Sequence, residues 1–182
     1  ANVDSDKKPS KRTYEEGRGY EVIASADIDK KTIEDVLKTT QEAMLKVANA
    51  KLQVGSKLAG ALGKNLHAAN VIAALYLATG QDTAHVVEGS LTDTTVQKKG
   101  TGITLSVRIP AILVGIRGGG ISLPAQSQCL QLLLKGKTSL HPCDQLAQSI
   151  GAAVLAGELS LLAAQASQTL AKAHATLGRA KS

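Results

Sequence analysis

Ile103-Thr104-Leu105-Ser106-Val107-Arg108-Ile109 alternates apolar and polar side chains without a break. A period of two puts Ile103, Leu105, Val107 and Ile109 on one face of a strand and Thr104, Ser106 and Arg108 on the other. Pro110 interrupts the pattern, and residues 111–114 continue extended. Gly118-Gly119-Gly120 then has to be an irregular turn, because consecutive glycines favour neither helix nor strand. Upstream, Tyr20, Val22, Ala24, Ala26 and Ile28 alternate with Glu21, Ser25 and Asp27, and Ile23 is the exception. That predicts a second half-buried strand.

Between and beyond the strands the period changes to that of helices. Asp29 is placed to cap a helix over 30–38, and Thr39 followed by Glu42 has capping-box spacing for another through Lys46. Residues 66–79 are apolar almost all round, which predicts a buried helix stopped by Gly80. In the last third, Asp144 caps a segment carrying Leu146, Ile150 and Val154. A further stripe from Glu158 runs through Leu159, Leu162, Ala166, Leu170, Ala173 and Leu177 to Gly178. Residues 1–18, with Pro9 and many charges, read as a loop. Helices and strands do not alternate strictly, so the expected class is α+β, with central long helices and a small mixed or antiparallel sheet.

Composition narrows the function. The chain has 182 residues, 43% hydrophobic, with 2% aromatics and neither Phe nor Trp. Its core is therefore aliphatic, and stacking recognition of bases is disfavoured. A formal charge of +6 suits a small polyanion as well as nucleic acid, and the missing aromatics argue for the former. Cys129 and Cys143 have neither CxxC spacing nor paired histidines, so no metal site is expected and reduced thiols are. The apolar run 71–78 is too short to cross a bilayer, and a cytoplasmic protein without a membrane span is the expectation.

Three places could carry chemistry. The loop Asp6-Lys7-Lys8-Pro9 offers ammonium groups to a carboxylate or a developing oxyanion, or is simply a solvated charged loop. Asp82 follows a helix C-terminus, where a carboxylate needs either water or a cation. His174 lies in the last turn of the final expected helix, where the dipole favours the imidazolium and suits a proton donor, though ordinary helix-end histidines look the same. The glycines at 115 and 118–120 do not match the spacing of a dinucleotide-binding turn, and no acidic residue lies about twenty positions on.

Read in order, Asp6-Lys7-Lys8-Pro9, Glu16-Gly17-Arg18-Gly19, Val54-Gly55-Ser56, His67-Ala68-Ala69-Asn70, Ala78-Thr79-Gly80-Gln81-Asp82, Val114-Gly115 with Gly118-Gly119-Gly120, and Ala156-Gly157-Glu158-Leu159-Ser160 resemble the hydroxymethylglutaryl-CoA reductase family along the whole chain. His85-Val86-Val87-Glu88-Gly89-Ser90 looks like the family's unanchored forms. The resemblance implies reduction of hydroxymethylglutaryl-CoA to mevalonate and coenzyme A with two NADPH. It implies that Lys7 stabilises the oxygen that gains charge, that Asp82 bonds Lys7 and tunes its proton affinity, and that His174 protonates the departing thiolate. Asp6, Lys8, Lys51 and Asn70 would bind substrate, and His67 would orient them. It also implies that residues 1–19 form the substrate loop and 20–182 the C-terminal part of a large substrate-binding domain. The NADPH-binding small domain and a catalytic glutamate would lie outside these residues. Homodimers or larger homo-oligomers with shared sites are expected.

The chain departs from the family in places. Where the family has Gly-Thr-Val-Gly-Gly-Gly-Thr, this chain has Ile116, Arg117 and Ile121 among its glycines; Lys11-Arg12-Thr13 and Gln168-Thr169 are further departures. Three readings follow: part of a reductase that is inactive alone, one subunit of a split reductase completed by another chain, or a non-catalytic module that binds a CoA ligand.

Overall fold

The computed structural model describes residues 3–136 and 139–168. After the loop containing Lys7, a short helix α1 (Lys11–Glu16) forms where sequence reading expects only loop; the Ser10 side chain caps it by accepting from the Thr13 N–H. Strand β1 (Tyr20–Ile28) has the expected bounds. Its Val22 is buried while Ile23, the exception to the alternation, is 70% exposed. Asp29 Oδ1 accepts from the Thr32 N–H at 2.6 Å, as a cap should, but the turn that follows widens to a π-helix (Thr32–Val36) and stops before Lys38, which has φ 54°.

The next helix, α2 (Gln41–Ala48), is capped by Thr40 rather than Thr39: Thr40 Oγ1 accepts from Ala43 N. Thr40 is the extended residue whose carbonyl starts the helix by accepting from Met44 N, so its side chain is the one in the cap position. The helix widens again into a π-segment (Asn49–Gly55) and ends as α3 (Ser56–Leu58). Helix α4 (Ala68–Ala78) buries Ala68, Ile72 and Tyr76. It is not buried all round, as its composition suggests, since Leu77 is 62% exposed. Gly80 closes it at φ 68°. A single turn α5 (Val86–Gly89) leads into β2 (Asp93–Lys99), a strand too short in apolar residues to be read from sequence.

The sheet order is β1-β3-β2, antiparallel throughout, with β3 (Gly102–Ile112) in the centre. Pro110 does not interrupt β3. It lies beyond the last β2 partner, Arg108, and opposite the register shift between Tyr20 and Val22, so no ladder needs its missing N–H. Its carbonyl accepts instead from Arg18 N at 3.2 Å. One sheet face is wet and laced by Arg108–Glu21 at 2.6 Å and Thr104–Asp27 at 2.6 Å.

The other face carries the core. Helix α6 (Pro124–Leu133) and helix α7 (Pro142–Ala166) complete the described elements. Where two C-terminal segments are expected, α7 is one rod of 25 residues. It runs antiparallel to β3: Leu146, Ile150 and Val154 meet Val107 and Ile109, while Leu162 and Ala163 meet Ile103 and Leu105. Gly151 and Gly157 allow this approach; a Cβ on Gly157 would lie 2.8 Å from Val71 Cγ2, and one on Gly151 would strike Val22. The result is α+β. Among the described helices α7 is long and apolar enough to cross a membrane, unlike the run 71–78; its buried face packs against the sheet and carries the fully buried Glu158.

Candidate active site

Helix α4 ends at Thr79, and Gly80 turns the chain toward Asp82. The turn is fixed by main-chain packing: a Cβ on Gly80 would lie 2.5 Å from the Gly120 carbonyl carbon, so only hydrogen lets the two backbones meet. Gln81 ties the same lip, donating to the Gly115 carbonyl at 3.0 Å and accepting from Gly115 N at 2.8 Å. Between these segments lies an open groove of about 350 Å³, lined by Asp82, His85, Val114, Arg117, Gly118 and Gly119 among others.

Lys7 reaches Asp82, which lines this groove. Its Nζ lies 2.7 Å from Asp82 Oδ2, with the two side chains 40% and 49% exposed. The hydrogen bond to Asp82 is the main reason the Lys7 ammonium holds its proton more tightly than an ordinary lysine. Asp82 in turn is held below the usual carboxylate range, first by Lys7 and then by the Ala84 N–H that it accepts at 3.0 Å. A carboxylate past a helix C-terminus has thus found its cation.

Behind the pair lies a second layer of charge. Glu88, on α5, is fully buried, and its Oε1 accepts from Lys7 N at 2.6 Å and from Arg18 Nη1 at 2.9 Å. Arg18 Nη2 also reaches Asp6 Oδ1 at 2.8 Å. The His85 ring stands between the two acids, with Nδ1 3.4 Å from Glu88 Oε2 and Nε2 3.8 Å from Asp82 Oδ2. Asp6, His85 and Glu88 bring ligand atoms within 4.8 Å of one another. Arg18 already occupies one oxygen of each carboxylate, so the positive charge there is the protein's own.

The remaining expected site residues stand elsewhere. Lys8 Nζ donates to the Asp6 carbonyl at 3.2 Å and faces solvent. His67 and Asn70 occupy the other end of α4, roughly 16 Å along its axis at ~1.5 Å per residue. There the His67 N–H donates to Glu158 Oε1 at 2.8 Å, its Nε2 is buried without a hydrogen bond, and Asn70 is exposed. Lys51 is exposed on the π-segment after α2. His174 lies outside the described residues. So the described chain joins Lys7 to Asp82 and Asp6, and leaves Lys51, His67 and Asn70 apart from them.

Glu88 and Arg18 were not singled out as site residues from sequence. Each sits inside a quoted motif, but a glutamate on a one-turn helix carries no periodic signal of burial. Only the fold shows that it is covered.

Comparison with known proteins agrees with the motif series. The sequence model described as hydroxymethylglutaryl-coenzyme A reductase matches residues 1–179. The chain is 43% identical over 179 residues to the 3-hydroxy-3-methylglutaryl-coenzyme A reductase of Methanothermobacter thermautotrophicus, covering 98% of this chain and 44% of that protein. It is 46% identical over 181 residues to the enzyme of that name from Haloferax volcanii, covering 98% of this chain and 45% of that one. With 3-hydroxy-3-methylglutaryl-coenzyme A reductase 1 of Dictyostelium discoideum it shares 44% identity over 187 residues, 99% of this chain and 34% of the relative. The chain therefore spans less than half the length of these relatives.

Proposed function

The chain belongs to the hydroxymethylglutaryl-coenzyme A reductase family, and from that membership we propose that it supplies the oxygen-stabilising part of a thioester-reducing site. The observation that carries this reading is the Lys7–Asp82 pair at 2.7 Å, whose Asp82 lines the groove. An ammonium fixed by a carboxylate and left partly open to solvent is suited to a carbonyl oxygen that gains negative charge. Asp82 keeps Lys7 charged and aimed, so the cation is in place before the charge develops. The substrate is hydroxymethylglutaryl-CoA and the products mevalonate and coenzyme A. His174 is the proton donor to the departing thiolate, since an imidazole has the acidity that step needs.

NADPH is the reductant that the family implies. No described element fits it. The sheet is antiparallel, and the glycine segment turns into a four-residue 3-10 helix (Gly119–Ser122) rather than opening a long helix behind a parallel strand. We therefore assign the dinucleotide to residues other than these and derive no step through it. His67, Asn70 and Lys51 lie away from Lys7, which suits a site completed by a second copy of the chain, with the substrate lying across both. A cytoplasmic setting is proposed with it, α7 serving as a core helix.

Loss of NADPH absorbance on adding hydroxymethylglutaryl-CoA tests the assignment. The 182-residue chain alone is expected to give no turnover, and a protein supplying the rest of the family's length is expected to restore it. Lys7→Ala in the restored mixture should lower kcat by 100-fold or more, on the order of one lost oxyanion donor. Turnover by the chain alone overturns the cofactor assignment, and undiminished turnover by Lys7→Ala overturns the role of Lys7. Full restoration failure, with coenzyme A still bound, favours the non-catalytic module, to which the Ile116, Arg117 and Ile121 departures point.

A further inference from the structure

We propose that Glu88, braced by Arg18, is the positioning residue for Lys7: it holds the Lys7 main chain in a left-handed conformation and so aims the ammonium at Asp82. The proposal rests on the reading of Lys7–Asp82 as the reactive pair.

The geometry is a closed circuit. Lys7 has φ 55° and Ser5 has φ 57°, two non-glycine residues in the left-handed region within one short loop. Such a conformation is unfavourable for a residue with a side chain and persists only where its surroundings fix it. A local turn bond, Lys8 N–H to the Ser5 carbonyl at 3.1 Å, closes the loop around Lys7, and the long-range hold on its main chain is the Lys7 N–H, which donates to Glu88 Oε1 at 2.6 Å across 81 positions of sequence. A bond from an amide to a buried carboxylate is charge-assisted and roughly twice as strong as a neutral one. Glu88 is itself held from behind: it is fully buried on α5 and receives Arg18 Nη1 at 2.9 Å on the same oxygen. Arg18 spans on to Asp6 Oδ1 at 2.8 Å and so pins the residue that precedes Lys7. The side chain leaves this anchored backbone and returns to Asp82, six positions before Glu88 on the segment that carries both acids. One segment therefore grips Lys7 at its amide and at its ammonium.

A buried glutamate could instead act through charge alone, and the two possibilities have opposite signs at Asp82. Lys7 is the largest influence holding the Asp82 carboxyl low. Removing the negative charge of Glu88 without moving Lys7 leaves Asp82 low or lowers it further. Releasing Lys7 raises Asp82. His85, Lys7 and the Ala84 N–H are the other groups that face Asp82, and they are common to every variant.

The test is NMR on the 182-residue chain, independent of turnover. The wild-type Lys7 amide proton is expected far downfield and protected from exchange, and the Asp82 carboxyl carbon is expected to titrate below the ordinary value of 3.8. Glu88→Gln keeps an oxygen acceptor and is expected to preserve both signals. Glu88→Ala is expected to return the Lys7 amide to ordinary loop exchange, at least a 10-fold faster rate, and to bring the Asp82 midpoint up toward 3.8. Unchanged Lys7 exchange and an unchanged Asp82 midpoint in a folded Glu88→Ala chain overturn the proposal. If that variant does not fold, a wild-type Lys7 amide with ordinary shift and loop-like exchange overturns it equally. Failure of reductase activity with these signals intact would count against the function and leave the positioning role standing.

Discussion

At the scale of single residues, the site is a matter of who holds which proton. Asp82 and Lys7 shift each other in opposite directions, each away from neutrality. Asp82, with its folded value depressed, contributes fully above the ordinary 3.8, and that contribution fades as pH falls through the depressed value. Lys7, with its folded value raised, contributes fully below the ordinary 10.5 and loses its part only as pH climbs through the higher one. The pair is thus whole across the neutral range. Asp82→Asn should bring the Lys7 titration down toward 10.5, followed by carbon-13 resonances of labelled lysine side chains. A Lys7 midpoint that does not move would show that Asp82 is not its partner in solution. From sequence the two residues stand 75 positions apart, and nothing in their local spacing joins them; it was the order of motifs, not any periodicity, that made the pairing legible.

Elements show a different balance. β1 and the centre of β3 were plain in the sequence because a period of two survives wherever one face is wet. β2 was not, because Asp93-Thr94-Thr95-Val96-Gln97-Lys98-Lys99 buries little. Two expected C-terminal segments, one from Asp144 and one from Glu158, are a single rod in α7, whose Gly151 and Gly157 sit where Val22 of the sheet and Val71 of α4 press close. Glu158 illustrates what such a helix can hold. Among the described residues its fully buried carboxylate has no cation partner, and it accepts from Leu66 N at 2.8 Å, His67 N at 2.8 Å and Thr94 Oγ1 at 2.7 Å. An anion at the start of α4 also faces the positive end of that helix. Glu158→Gln leaves at least one donor without an acceptor and should cost about 2 kcal/mol, typical for a bond to a charged group. Urea denaturation measures it, and an unaltered midpoint would mean that the three bonds are not made in solution.

At the scale of the whole molecule, the described residues place polar centres at both ends of α4, and the one at its C-terminal end holds Lys7. Its surface is also apolar in places that a lone domain has no use for: Leu58 is 83% exposed, Val54 50% and Leu77 62%. Val54 and Leu58 stand four positions apart on one continuous helical run, and contiguous exposed apolar side chains mark surfaces that pair. A homodimer or larger assembly is the expected state at micromolar concentration in sedimentation equilibrium, and Leu58→Asp should shift it toward monomer. A wild-type profile of monomers alone would remove the basis for a shared site. The sequence could not show this arrangement, since which apolar residues stay uncovered depends on where α4 and α7 finally lie.

One contact shapes what the groove can become. At Gly80 and Gly120 the two lips touch through peptide groups, with no side chain between them. The closest approach of the two lips is therefore set by the main chain, while side chains such as Arg117 and Ile121 shape the space beside it. A change of side chain at Arg117 or Ile121 therefore alters the chemistry and free space of the groove while the Gly80–Gly120 contact stays in place.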